Sequence, residues 1–193
     1  MYEKTIGHAI RESIKVKEYI LNDQQLISII DRVAAEIINV FKNDKKILLC
    51  GNGGSAADAQ HLAAELSGRF YIDRPPLFAE ALHVNTSYLT AVANDYSFDE
   101  VYARLVKAKG RPSDILIGIS TSGNSSNIIK AIYAAKEVGM ISVGFTGKTG
   151  GKMVGLCDYL INIPSQDAAR IQEAHILIGH IICEIVERKL FPA

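Results

Sequence analysis

Two segments rich in glycine and hydroxyl groups carry the residue types that hold a phosphate. The first is Gly51-Asn52-Gly53-Gly54-Ser55-Ala56-Ala57-Asp58, entered from the apolar run Ile47-Leu48-Leu49-Cys50. Glycines let a backbone approach an anion closely, and the free N–H groups at a helix start attract one. The second is Ser120-Thr121-Ser122-Gly123-Asn124-Ser125, which follows another apolar run and precedes the helical pattern of 127–132. Its crowded hydroxyls, with backbone N–H groups, can bind a phosphate monoester without a metal or a lysine. Gly51-x-Gly53-x-x-Ala56 also fits a relaxed dinucleotide fingerprint. The acidic residue expected about 20 positions on, closing a second strand, is missing, because Asp73 falls in the polar stretch Ile72-Asp73-Arg74-Pro75-Pro76. A Walker A loop is excluded, since no Gly-Lys-Ser/Thr follows the glycines.

Groups able to move protons or hold a metal follow. His61 and Glu65 are one helical repeat apart, so they share a face and can converge on one ligand. Gln172 and His180 belong to the last helical pattern, where their spacing puts them roughly 80° apart around the axis. Gly179 beside His180 is expected to open room next to that helix. By residue type alone, His61 and Glu65 read as a solvated surface pair, and His180, among Ile178, Ile181 and Ile182, reads as a core histidine. Two histidines and a glutamate suit zinc while glutamine is an unusual ligand, so the residues by themselves leave the metal open.

The elements that must position these groups are legible from periodicity. Residues 1–44 are helical, with a break and a plausible N-cap at Asn22-Asp23. Short apolar runs at 46–50, 78–82, 114–119, 141–145 and 159–163 then alternate with helical segments, which predicts a parallel sheet covered on both faces. A final helix is expected over 167–190. One α/β domain over 1–193, with helices at 1–44 and the α/β core at 45–193, accounts for the chain. The apolar surface of the first two helices points to packing against another subunit.

Composition agrees. The chain has 193 residues, is 48% hydrophobic, and balances 21 Lys+Arg against 21 Asp+Glu. That balance gives no electrostatic argument for a nucleic-acid surface. No apolar run approaches the roughly 20 residues needed to span a bilayer, and no opening segment reads as a signal peptide. Cys50, Cys157 and Cys183 are far apart and set among apolar residues, so they read as buried free thiols of a reducing compartment, the cytoplasm.

The stretch from Lys46 through Gly51-Asn52-Gly53-Gly54-Ser55 to His61, then Asn94-Asp95, Gly118-Ile119-Ser120-Thr121-Ser122-Gly123-Asn124-Ser125 and Ala169-Arg170-Ile171-Gln172-Glu173-Ala174-His175, resembles the phosphoheptose isomerases of the sugar isomerase (SIS) superfamily. The resemblance covers nearly the whole chain, in order and at appropriate spacing. It implies a flavodoxin-like three-layer sandwich, assembled as a homotetramer with active sites between subunits. It implies conversion of sedoheptulose 7-phosphate to D-glycero-D-manno-heptose 7-phosphate, which feeds bacterial lipopolysaccharide and other surface polysaccharides. Ser55, Ser120, Thr121, Ser122 and Ser125 resemble phosphate and sugar contacts. Asn52, Gly53, Gly54, Asn94, Asp95, Glu65 and Gln172 resemble further substrate-binding positions. Glu65 and His180 resemble the acid–base pair, and His61, Glu65, Gln172 and His180 the zinc ligands. Ala169 departs from members that carry Asp there.

A close relative within the superfamily is a non-catalytic partner of the replication initiator DnaA. It lacks the groups matching Glu65 and His180, and both are present here, which favours the enzyme. A sugar-phosphate sensor would keep the phosphate loop but gives no reason for both groups.

Overall fold

The computed structural model describes residues 2–192. The chain opens with α1 (Glu3–Asn22) and α2 (Gln24–Lys42). Asp23 separates them as expected, its carboxylate accepting the N–H groups of Gln25 and Leu26 at 3.0 Å and so satisfying two free donors of α2. Five strands follow: β1 (Ile47–Gly51), β2 (Ala79–Ala81), β3 (Ile115–Ile119), β4 (Ile141–Thr146) and β5 (Tyr159–Asn162). Between and after them come α3 (Gly54–Ser67), α4 (Thr86–Asp95), α5 (Val101–Lys109), α6 (Ser126–Val138) and α7 (Ala168–Leu190).

All strand pairs are parallel, in the order β2-β1-β3-β4-β5. This is the flavodoxin-like order that the resemblance implies, with its reversal of direction between β1 and β3. Alternate residues of one strand serve opposite faces. Ile47 and Leu49 join the core under α2, α3 and α7, whereas Leu48 and Cys50 join the core under α4, α5 and α6. Both faces being covered explains why β1 and β3 are apolar without alternation. Edge strand β2 is shorter than the expected 78–82, and Phe78 lies exposed.

The last helix, expected over 167–190, begins at Ala168, and Asp167 caps it by accepting the Ala169 N–H at 2.9 Å. Helix α1 rests on α7, and its outer side leaves Ile6, Ile10, Ile14 and Leu21 exposed. Among the described residues, no helix is long and apolar enough to cross a membrane.

Candidate active site

The reversal of strand order brings the two glycine-bearing loops together at the carboxyl ends of β1 and β3, where open α/β sheets bind ligands. A reciprocal amide pair joins them. Asn52 Nδ2 donates to Asn127 Oδ1, and Asn127 Nδ2 donates to Asn52 Oδ1, both at 2.9 Å. Nothing in residue type or spacing singles out buried Asn127 beforehand. Gly51 is indispensable in the first loop, since a side chain there would meet the Ser55 carbonyl at 2.3 Å. Gly53 adopts φ +55°, Gly54 starts α3, and Ser55 is buried in its first turn.

In the second loop, buried Ser120 lies 2.9 Å from Ser125 Oγ and 3.5 Å from Ser122 Oγ. Ser122 Oγ accepts the Asn124 N–H at 3.2 Å, and half-buried Thr121 accepts the Gly147 N–H through its carbonyl. The side chain of Ser125, the residue before α6, makes no bond to the backbone N–H groups of the helix's first turn. These hydroxyls therefore sit at a helix N-terminus that still has donors to offer an anion. Asn94 and Asp95 stand on the exposed last turn of α4, the Asn94 amide donating to Asp95 Oδ1 at 3.0 Å.

The second constellation lies along the seam between α3 and α7. His61 Nε2 is 3.1 Å from Glu65 Oε1 and 3.0 Å from His180 Nε2. One ligand atom from each of His61, Glu65 and His180 falls within 4.8 Å of the others. His180 is thus not the core histidine that its apolar neighbours suggest; it is half-buried and faces His61 across the seam. The core histidine is His175, whose ring donates to the Thr146 carbonyl at 3.2 Å. Burial drives its pKa down to about 4, against the pull of that hydrogen bond. Gly179 opens no empty space either: a side chain there would strike Leu62 at 2.5 Å, so the glycine lets α3 close onto α7.

Gln172 occupies the same seam two turns before His180, its side-chain amide packed against Gly54. Nothing in the sequence pattern sets Asp58 apart from its helix neighbours. It is half-buried on α3 with Oδ2 unpartnered, and burial raises its pKa while His61 pulls the other way.

The donor set fits zinc. Bonds of about 2.0–2.2 Å in a tetrahedron leave ligand atoms a little over 3 Å apart, and two imidazoles with one carboxylate form a known catalytic zinc set. The observed 3.0 and 3.1 Å separations are of that size. A single hydrogen on His61 Nε2 cannot serve both neighbours fully, so these atoms are placed to share a cation or a proton.

A doubly covered parallel sheet with a hydroxyl loop at its switch point is an arrangement able to hold a phosphate monoester. Residues 12–147 match the family model described as the SIS domain, a span that includes His61 and Glu65 but stops before His180. A phosphoheptose isomerase of Aneurinibacillus thermoaerophilus is 57% identical over 94% of this chain and 92% of its own length. The structure of the Neisseria gonorrhoeae phosphoheptose isomerase superposes with a TM-score of 0.91 at 43% identity, over 97% of this chain and 99% of that one. The Francisella tularensis phosphoheptose isomerase gives 0.93 at 36% identity, with the same coverage. The chain belongs to the SIS-domain family and, within it, to the phosphoheptose isomerases.

Proposed function

We propose that this chain interconverts sedoheptulose 7-phosphate and D-glycero-D-manno-heptose 7-phosphate. The observation that carries the reading is the convergence of His61, Glu65 and His180 from two helices in a chain that also has the phosphate-type loop. Phosphate capture alone needs only the loop. The names of relatives at 57% and 55% identity support the same activity.

The reaction moves a proton between C1 and C2 and exchanges the carbonyl with the neighbouring hydroxyl, through a cis-enediol. Glu65 takes the proton from C1 of the ketose and returns it to C2. His180 carries protons between the two oxygens, work an imidazole does near neutral pH. Ser55, Ser120, Thr121, Ser122 and Ser125 hold the phosphate with the N-terminus of α6. Asn52, Gly53, Gly54, Asn94, Asp95 and Gln172 contact the sugar. His61, Glu65 and His180, with Gln172 in the same seam, would hold zinc, which supplies Lewis acidity toward the carbonyl.

The exposed Ile6, Ile10 and Ile14 on α1 support assembly with further copies, a homotetramer with sites between subunits in the cytoplasm. Turnover of sedoheptulose 7-phosphate with and without a chelator tests the reading. Turnover abolished by the chelator and restored by zinc is expected, with a divalent metal found by elemental analysis. No turnover under any metal condition refutes the activity, and turnover indifferent to the chelator refutes the metal.

A further inference from the structure

Glu187 carries a carboxylate that the proposed chemistry does not use, yet it is among the most completely bonded groups in the chain. It stands on α7 and is 2% exposed. Its oxygens accept the backbone N–H groups of Phe70 at 3.0 Å, Tyr71 at 2.7 Å and Ile72 at 3.1 Å, and Arg74 Nε at 3.2 Å. Burial pushes its pKa up, and those four donors outweigh burial, so the carboxyl stays below its ordinary value.

Arg74 is buried as well and turns its remaining donors on the end of α3. Nη2 donates to the Glu65 carbonyl at 2.8 Å and Nη1 to the Leu66 carbonyl at 2.7 Å, with longer bonds to Gly68 and Pro75. The last carbonyls of a helix lack partners within it. Here the guanidinium supplies them, at the turn that bears Glu65.

The segment so held, 68–75, contains no helix or strand. It nevertheless delivers the Phe70 ring to 5.6 Å from the His180 ring, which meets His61 at 5.0 Å. His180 and Glu187 are two turns apart on α7, roughly 20° from alignment, so one stripe of the helix carries the imidazole and the anchor of the segment packed on it.

We infer that Glu187 and Arg74 are positioning residues: they fasten the 68–75 segment so that Phe70 sets the ring orientation of His180, and Arg74 fixes the helix turn of Glu65. The inference rests on the proposed role of His180 and Glu65 for its effect on rate, but its geometric content does not. A purely structural ion pair would change stability and leave His180 where it is.

The decisive measurement follows the His180 ring C–H proton resonances in metal-free protein, assigned with His180→Asn, alongside kcat and KM of the metal-loaded enzyme. In Phe70→Leu and in Glu187→Gln these resonances move, because the ring-current field of Phe70 is lost or displaced. In Phe70→Tyr they stay near the wild-type positions. kcat falls roughly tenfold or more in the first two variants, as expected for a misplaced group, and KM changes less than about threefold. Phe70→Tyr restores kcat.

Resonances that coincide with wild type in Phe70→Leu overturn the inference, whatever happens to the melting temperature. So does a fall in kcat without movement of the resonances. Should Glu187→Gln fail to fold, Arg74→Lys takes its place: it keeps the Phe70 ring, so resonances that move report its displacement and resonances that stay overturn the inference. Resonances that move in Glu187→Gln, when the wild type does not isomerise the sugar phosphate, uphold the positioning and refute the proposed activity.

Discussion

The hydroxyl loop at 120–125 and the seam between α3 and α7 are built by different means. The loop is shaped by its own backbone: Gly123 sits at φ +66°, where a side chain would collide with the Gly150 carbonyl at 2.0 Å. Its hydroxyls are short and bond one another within the segment. The seam is made of long side chains from helices far apart in sequence, and His61 and His180 meet where the bare Cα of Gly179 makes room for Leu62. On the proposed reading, the loop holds the phosphate and the seam decides what happens to the molecule so held. Binding and chemistry should therefore separate when each region is damaged alone.

The largest effect is expected in the seam. Glu65→Gln keeps the size of the side chain and removes its basicity, and positioned acid–base groups contribute about 10²- to 10⁴-fold. kcat should fall by that order with a much smaller change in KM, measured on sedoheptulose 7-phosphate with metal content recorded for each preparation. A variant turning over at the wild-type rate would remove Glu65 from the chemistry.

The contrast also explains what the sequence disclosed. Strands, caps and the loop are local: Asp23 and Asp167 cap the helices that follow them, and apolar runs become strands wherever both faces are covered. Such features depend on a few consecutive residues. The Asn52–Asn127 pair, the Arg74–Glu187 pair and the placement of Asp58 depend on which elements pack together, and no periodicity encodes them. The two histidines of α7 make the point most sharply. Both lie among apolar residues, and from type alone His180 reads as the buried one. The structure turns His175 into the core and His180 toward His61, because five residues separate them by about 140° around α7. The family resemblance, not the pattern, identified His180.

Those two histidines supply the next prediction. The pKa of His175 falls from 6.5 to about 4 because burial disfavours its charged form. A group whose folded pKa is depressed gives stability that is complete above the unfolded value and is lost as pH falls. The window runs from 6.5 down to about 4, and the loss amounts to about 3 kcal/mol at its lower end. Urea unfolding of the wild type and of His175→Gln across this range measures it. The wild type should weaken with acidity by more than the variant, which lacks the titrating ring. Equal slopes would mean that the folded protein takes up a proton at His175 without resistance.

The smallest effect is expected in the loop, at Ser122. Its side chain is exposed and accepts the neighbouring Asn124 N–H, and buried Ser120, 3.5 Å away, keeps Ser125 Oγ at 2.9 Å, so truncation leaves no buried group unsatisfied. Stability should then change by less than about 0.5 kcal/mol, as for ordinary surface substitutions. A hydrogen bond to a charged group contributes about 1.5–3 kcal/mol, equivalent to roughly 10- to 100-fold in affinity. Ser122→Ala should raise KM toward the lower end of that range, because backbone N–H groups and four other hydroxyls remain, while kcat stays within about twofold. Inorganic phosphate, as a competitive inhibitor, should weaken by the same factor as the substrate, since both use the same contact. A fall in kcat without a change in phosphate inhibition would mean that the loop orients the sugar at the reacting carbons and does more than hold its distant phosphate, so the separation between holding and reacting would fail at this residue.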